Sequence, residues 1–202
     1  GYYALQANTT GDLNTAVGAL SLDANTVGDR NTALGYKSLT TFNPSSNADT
    51  YNTAVGALSL QNLTTGTTNT AVGGQAMELA TTGAQNVAMG YGALNANTTG
   101  SGNTAVGNAT LDANTTADNN TAMGNQALSA NTTGSLNVGV GTLALTANTT
   151  GVQNVAVGVE ALDTNSTGGS NTAIGYASLY ANTTASNNTA VGHNSLKANT
   201  TG

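Results

Sequence analysis

Residues Asn103–Gly134 read NTAVGNATLDANTTADNNTAMGNQALSANTTG, nearly the same phrase twice. Asn-Thr-Ala, an apolar residue and Gly come first; a small residue and Leu follow, then Ala-Asn-Thr-Thr. The phrase continues in both directions. The pattern Asn-[Thr/Val]-[Ala/Gly]-apolar-Gly starts at Asn14, Asn31, Asn52, Asn69, Asn86, Asn103, Asn120, Asn137, Asn154, Asn171 and Asn188. Every interval is 17 residues except the second, which is 21 and contains TTFNPSSNADTY with the only proline, Pro44. That exception reads as a four-residue insertion near 40–51, bulging from a turn, because lengthening a loop costs little. A fixed short period is the signature of a solenoid in which each unit stacks on the last. Residues 1–202 therefore read as one repeat array, eleven units behind a partial copy, and as a segment of a longer protein.

Numbering each unit from its Asn makes the demands of single positions visible. Position 5 is Gly in all eleven units, among them Gly18, Gly56, Gly107, Gly124, Gly158 and Gly175, as expected of a strand end that needs positive φ. Position 2 is Thr, or Val at Val87, Val138 and Val155; the shared branched shape points to a β site. Positions 2 and 4 fall on one face of a strand. Positions 7–11 read as a second short strand around Leu, and Asn-Thr-Thr-Gly at positions 12–15 as a turn. The expected core has two ranks. Position 4 supplies Val17, Val55, Val106, Met123, Val157 and Ile174; position 9 supplies Leu22, Leu60, Leu111, Leu128, Leu162 and Leu179. The fold class expected is all-β, a parallel β-solenoid or β-roll of 17-residue coils.

Composition narrows the function. Only 6% of residues are charged and the net charge is -6. Arg30, Lys37 and Lys197 are too few and too scattered for nucleic acid, and no basic amphipathic face suits a membrane surface. No apolar run is long enough for membrane insertion of this segment. The strict return of Val and Leu argues against disorder. There is no cysteine, so disulfides are excluded.

Two large apolar side chains per coil are a modest return for ordering 17 residues. Several chains sharing a core would close that gap, so self-association is expected. NTAVG followed by a small residue and Leu resembles the head repeats of trimeric autotransporter adhesins. Over essentially the whole chain, the closer resemblance is to NTAVGxxALxxNTTGxx arrays of phage tail-fibre-like and bacterial surface proteins. That resemblance implies a left-handed β-roll, a homotrimer or filament, an extracellular, cell-surface or virion location, and contact with a cell-surface receptor or glycan. The 17-residue period is longer than the adhesin-head repeat.

No catalytic constellation is assembled. His193, the only histidine, sits at position 6, which other units fill with Ala, Tyr, Asn, Gly, Thr or Val. Asp23, Asp112, Asp163 and Glu78 share position 10, while Asp12, Asp29 and Asp118 share position 16; neither group has the spacing of a metal site. No enzyme, cofactor or metal is expected. Asn-x-Thr recurs in the turns at Asn97, Asn114, Asn131 and their equivalents, and outside them at Asn108, Asn119 and Asn187. It reads as turn chemistry. Tyr36, Tyr91 and Tyr176 share position 6 with Tyr2 of the partial copy, and offer faces for sugar rings. The function expected is a structural or adhesive fibre segment. The alternative is ice or carbohydrate binding on ladders of Thr, which turns on whether the Thr pairs at positions 13 and 14 (Thr132 and Thr133 in one unit) lie on a strand face.

Overall fold

A computed structural model describes residues 1–200. Among them there is no helix, and eleven three-residue strands, from Thr15–Val17 to Thr189–Val191, form one parallel sheet. Each strand pairs with its equivalent one repeat on: Thr104 lies against Thr121, Ala105 against Ala122 and Val106 against Met123. The all-β parallel solenoid with 17-residue coils is therefore the architecture of the chain. Rungs at about 4.8 Å make a ladder about 50 Å long.

The strand alternates as expected, but its faces are the reverse of the expected ones. Position 3 points inward: Ala54, Ala88, Ala105, Ala122 and Ala156 are wholly buried. Positions 2 and 4 point outward. Val17, Met123 and Ile174 are 54%, 44% and 40% exposed, and Val55, Val106 and Val157 are only partly covered. The expected core rank at position 4 is thus a surface rank. Space inside the coil explains the reversal. A Cβ built on Gly139 at position 3 would lie 3.3 Å from Leu128 Cδ1, so an Ala methyl already fills the gap to the Leu rank. A branched side chain does not fit there. The position-9 rank is where it was expected, with Leu22, Leu60, Leu111, Leu128, Leu162 and Leu179 fully buried.

Positions 7–11 are a run of turns, a second departure from the expected strand. Positions 7 and 9 take left-handed φ, as in Leu58 (64°) and Leu60 (49°), or Gln126 (55°) and Leu128 (53°). The conformation is costly for a non-glycine residue, and inter-coil hydrogen bonds with Leu burial offset it. The Leu128 N–H donates to the Ala144 carbonyl (2.9 Å) in the next coil, and the Gln126 N–H to the Asn108 carbonyl (3.0 Å) in the previous one. The turn is laddered like the strand, without its pleat.

Two ranks of buried Asn complete the interior. At position 1, the Asn137 N–H donates to Asn120 Oδ1 (2.9 Å) and Asn137 Nδ2 to the Gly151 carbonyl (2.8 Å). At position 12, Asn148 Nδ2 donates to Asn131 Oδ1 (2.9 Å) and to that same Gly151 carbonyl (3.0 Å). Where both positions carry Asn, as here, the two ranks converge on one carbonyl, and these buried amides acquire the partners that burial demands. Position 5 is bound to glycine twice over. Gly124 has φ +133°, and a Cβ there would lie 2.6 Å from the Gly141 carbonyl carbon in the next coil.

The insertion forms a local clamp. Ala48–Asp49 pairs in parallel with Gly28–Asp29, and Phe42 is fully buried at the turn. Arg30 Nε donates to Asp49 Oδ1 (2.6 Å), and the Tyr51 hydroxyl donates to Asp49 Oδ2 (2.9 Å). The Arg30 bond, helped by the Tyr51 bond, holds the Asp49 carboxyl below the ordinary aspartate value.

Candidate interaction face

The outward side of the sheet carries two continuous ranks. Position 2 contributes eight Thr and three Val, and position 4 contributes Val, Leu, Met or Ile in every coil. No charged residue stands at either position. Among the described residues, no intrachain hydrogen bond uses a position-2 Thr hydroxyl, Thr104 and Thr121 included, so those hydroxyls face solvent beside the aliphatic rank. Strands of three residues over a 50 Å ladder give a face of about 500 Å², of which the aliphatic rank and the methyls of position 2 form the apolar part.

The features singled out in the sequence distribute around this face. The glycines Gly18, Gly56, Gly107, Gly124, Gly158 and Gly175 all have positive φ and close the strands. Beyond them, Tyr36, Tyr91 and Tyr176 at position 6 are exposed, Tyr91 most so at 61%. The Tyr176 ring stacks with His193 in the next coil, centroids 5.1 Å apart, and His193 Nδ1 contacts Asn194 Nδ2 at 3.0 Å. Among the described residues, no carboxylate forms an ion pair with this histidine.

The Thr pairs at positions 13 and 14 lie in bends, away from any strand. Position-13 hydroxyls are committed to the next coil: Thr115 Oγ1 donates to the Thr132 carbonyl (3.1 Å), and Thr132 Oγ1 to the Thr149 carbonyl (3.0 Å). The condition on which the Thr-pair face depends is not met there. The turn sequons are occupied in the same way. Asn114 and Asn131 are buried and their Nδ2 atoms, the attachment point of an N-glycan, donate to Asn97 Oδ1 and Asn114 Oδ1. Asn108, Asn119 and Asn187 remain exposed.

The acids of position 10 lie apart from the outward face. Burial pushes Asp112 above its ordinary value of 3.8. Asp163 is raised in the same way, with hydrogen bonds from Thr146 and Tyr180 opposing. At position 16, Asp29 Oδ1 accepts from the Asp12 N–H (2.7 Å), a rung of the coil stack. Sequence reasoning missed the outward face because it placed position 4 inside. The signal that locates it is variability of size: position 9 is Leu in all but Met77, whereas position 4 ranges over Val, Leu, Met and Ile.

No family profile, no curated protein and no solved structure matches this chain.

Proposed function

We propose that this chain is a non-catalytic rod, a segment of an extracellular fibre on a cell surface or virion, and that copies of it associate through the outward strand face. The observation that carries the reading is the uninterrupted, uncharged rank of aliphatic side chains along eleven strands. A rod whose interior is laddered by backbone, Asn and Leu from end to end resists bending and protease entry, which suits a part whose work is reach. Leaving so long an apolar rank in water is unfavourable, and a second copy supplies a face of the same length. With the position-6 side chains at its rim, the face approaches the roughly 800 Å² per partner of a stable interface. Contact with a receptor or glycan then falls to the exposed turns or to other parts of the fibre.

Small-angle X-ray scattering tests this reading. A rod about 50 Å long with the mass and cross-section of several chains supports it; a compact particle of single-chain mass sinks it. One observation favours a second reading. The unpaired Thr hydroxyls of position 2, spaced by the sheet, form a rank able to order water, and ice recrystallisation inhibition by a folded single chain would move the assignment there.

A further inference from the structure

A perfectly uniform ladder has no height. Thr-Ala-Val-Gly follows Thr-Ala-Val-Gly, and sliding one copy along another by a coil presents almost the same surface again. This face is not uniform. Position 4 departs from Val at Leu34, Met89, Met123 and Ile174, and at three of these four the residue two places on is tyrosine: Tyr36, Tyr91 and Tyr176. Tyrosine occurs at position 6 in no other complete unit. All six members of these pairs are exposed. Two of the rings reach a neighbouring coil. A Cβ added to Gly74, one coil before Tyr91, would touch that ring at 3.5 Å, and Tyr176 stacks towards the next coil.

Resting on the reading of the chain as a self-associating rod, we infer that its copies dock side by side, parallel and level, with Leu34/Tyr36, Met89/Tyr91 and Ile174/Tyr176 as the anchors that fix their height. Tyrosine is among the side chains that dominate interfaces, and such groups pair with one another across them. The spacing of the three anchors is directional. Counting repeats from Asn31 to Asn86 and from Asn86 to Asn171 gives three coils and then five. Because the two intervals differ, no antiparallel arrangement aligns all three anchors. A parallel stagger of one or two coils aligns none, and one of three, five or eight aligns a single pair. Only level, parallel docking matches every anchor to its own counterpart. That is also the arrangement a closed ring of rods about a common axis requires, whereas a constant stagger generates open assemblies.

Cross-linking tests the arrangement, and the absence of native cysteine makes it clean. Ala57 and Val159 are exposed position-6 residues in the third and ninth units, about 29 Å apart along the rod. Copies carrying Ala57→Cys or Val159→Cys, tagged differently and treated with a short bismaleimide, are expected to cross-link like to like with no Ala57–Val159 product. A multimer that gives mainly Ala57–Val159 products overturns the parallel docking and leaves self-association standing. A folded single chain that gives no product overturns both. The anchors have their own test. The variant L34V/Y36A/M89V/Y91A/I174V/Y176A changes outward residues only, and its fold is checked by circular dichroism. It is expected to stagger into a broad, concentration-dependent series of larger species in sedimentation velocity. A single species of native size would show that the anchors do not set the height.

Discussion

The asparagine of position 12 shows why like residues stack in runs. Asn8 and Asn25 begin the rank, Phe42, Leu63 and Ala80 replace it in three consecutive coils, and Asn97 to Asn182 restore it. An Asn beside a Leu would lose its amide partner in a dry interior, so the exchange occurs in a block and every Oδ1 from Asn97 to Asn165 accepts from the next Asn of the rank, leaving only Asn182 Oδ1 without a partner among the described residues of that run. Asn131→Leu is therefore predicted to destabilise the chain by about 3 kcal/mol, because Asn114 Oδ1 and Asn148 Nδ2 each lose a buried partner. Urea titration checks this, and a loss near zero would mean that the rank contributes nothing. Asp112 offers a prediction of the opposite sign. Desolvation raises its carboxyl above 3.8, so the folded chain holds that proton more tightly than the unfolded chain. The group's contribution therefore worsens as pH rises from the ordinary to the raised value. Asp112→Asn is predicted to be more stable than the native chain at pH 7, with the advantage gone below the ordinary carboxylate range; thermal melts at both pH values read it.

At the scale of the strand, the repeat made the period and the alternation legible, and the side that faces inward was not. Both faces of Thr-Ala-Val are apolar enough to be buried, so hydropathy chose the larger residue. The coil is too narrow for it, a fact visible only when Leu128 stands 3.3 Å from the Cβ that Gly139 lacks. The turn at positions 7–11 was hidden for a related reason. Leu is a poor predictor of left-handed φ, and only the neighbouring coils, which supply its hydrogen bonds, stabilise Leu128 at 53°. The glycines at position 5 were readable because both φ and close approach exclude every other residue. Truncation separates the two faces. Leu128→Ala is predicted to cost about 2–5 kcal/mol through the cavity it leaves. Met123→Ala, measured on dissociated chains, is predicted to cost less than about 1 kcal/mol. Equal losses would place position 4 back in the core.

At the scale of the whole molecule, a solenoid this regular is one long surface repeated. Its Leu rank is packed within the chain and its Asn ranks are paired there almost throughout, while the outward aliphatic rank is the longest apolar feature a single chain leaves in water. Sedimentation equilibrium tests the account most directly, on the native chain and on a variant with Val106, Met123 and Val140 each changed to Glu. The native chain is expected to sediment at a single multimeric mass. The variant is expected to be a folded single chain with an unchanged far-ultraviolet spectrum. A native chain that sediments as a folded monomer, or a variant that keeps the native mass, would contradict the account.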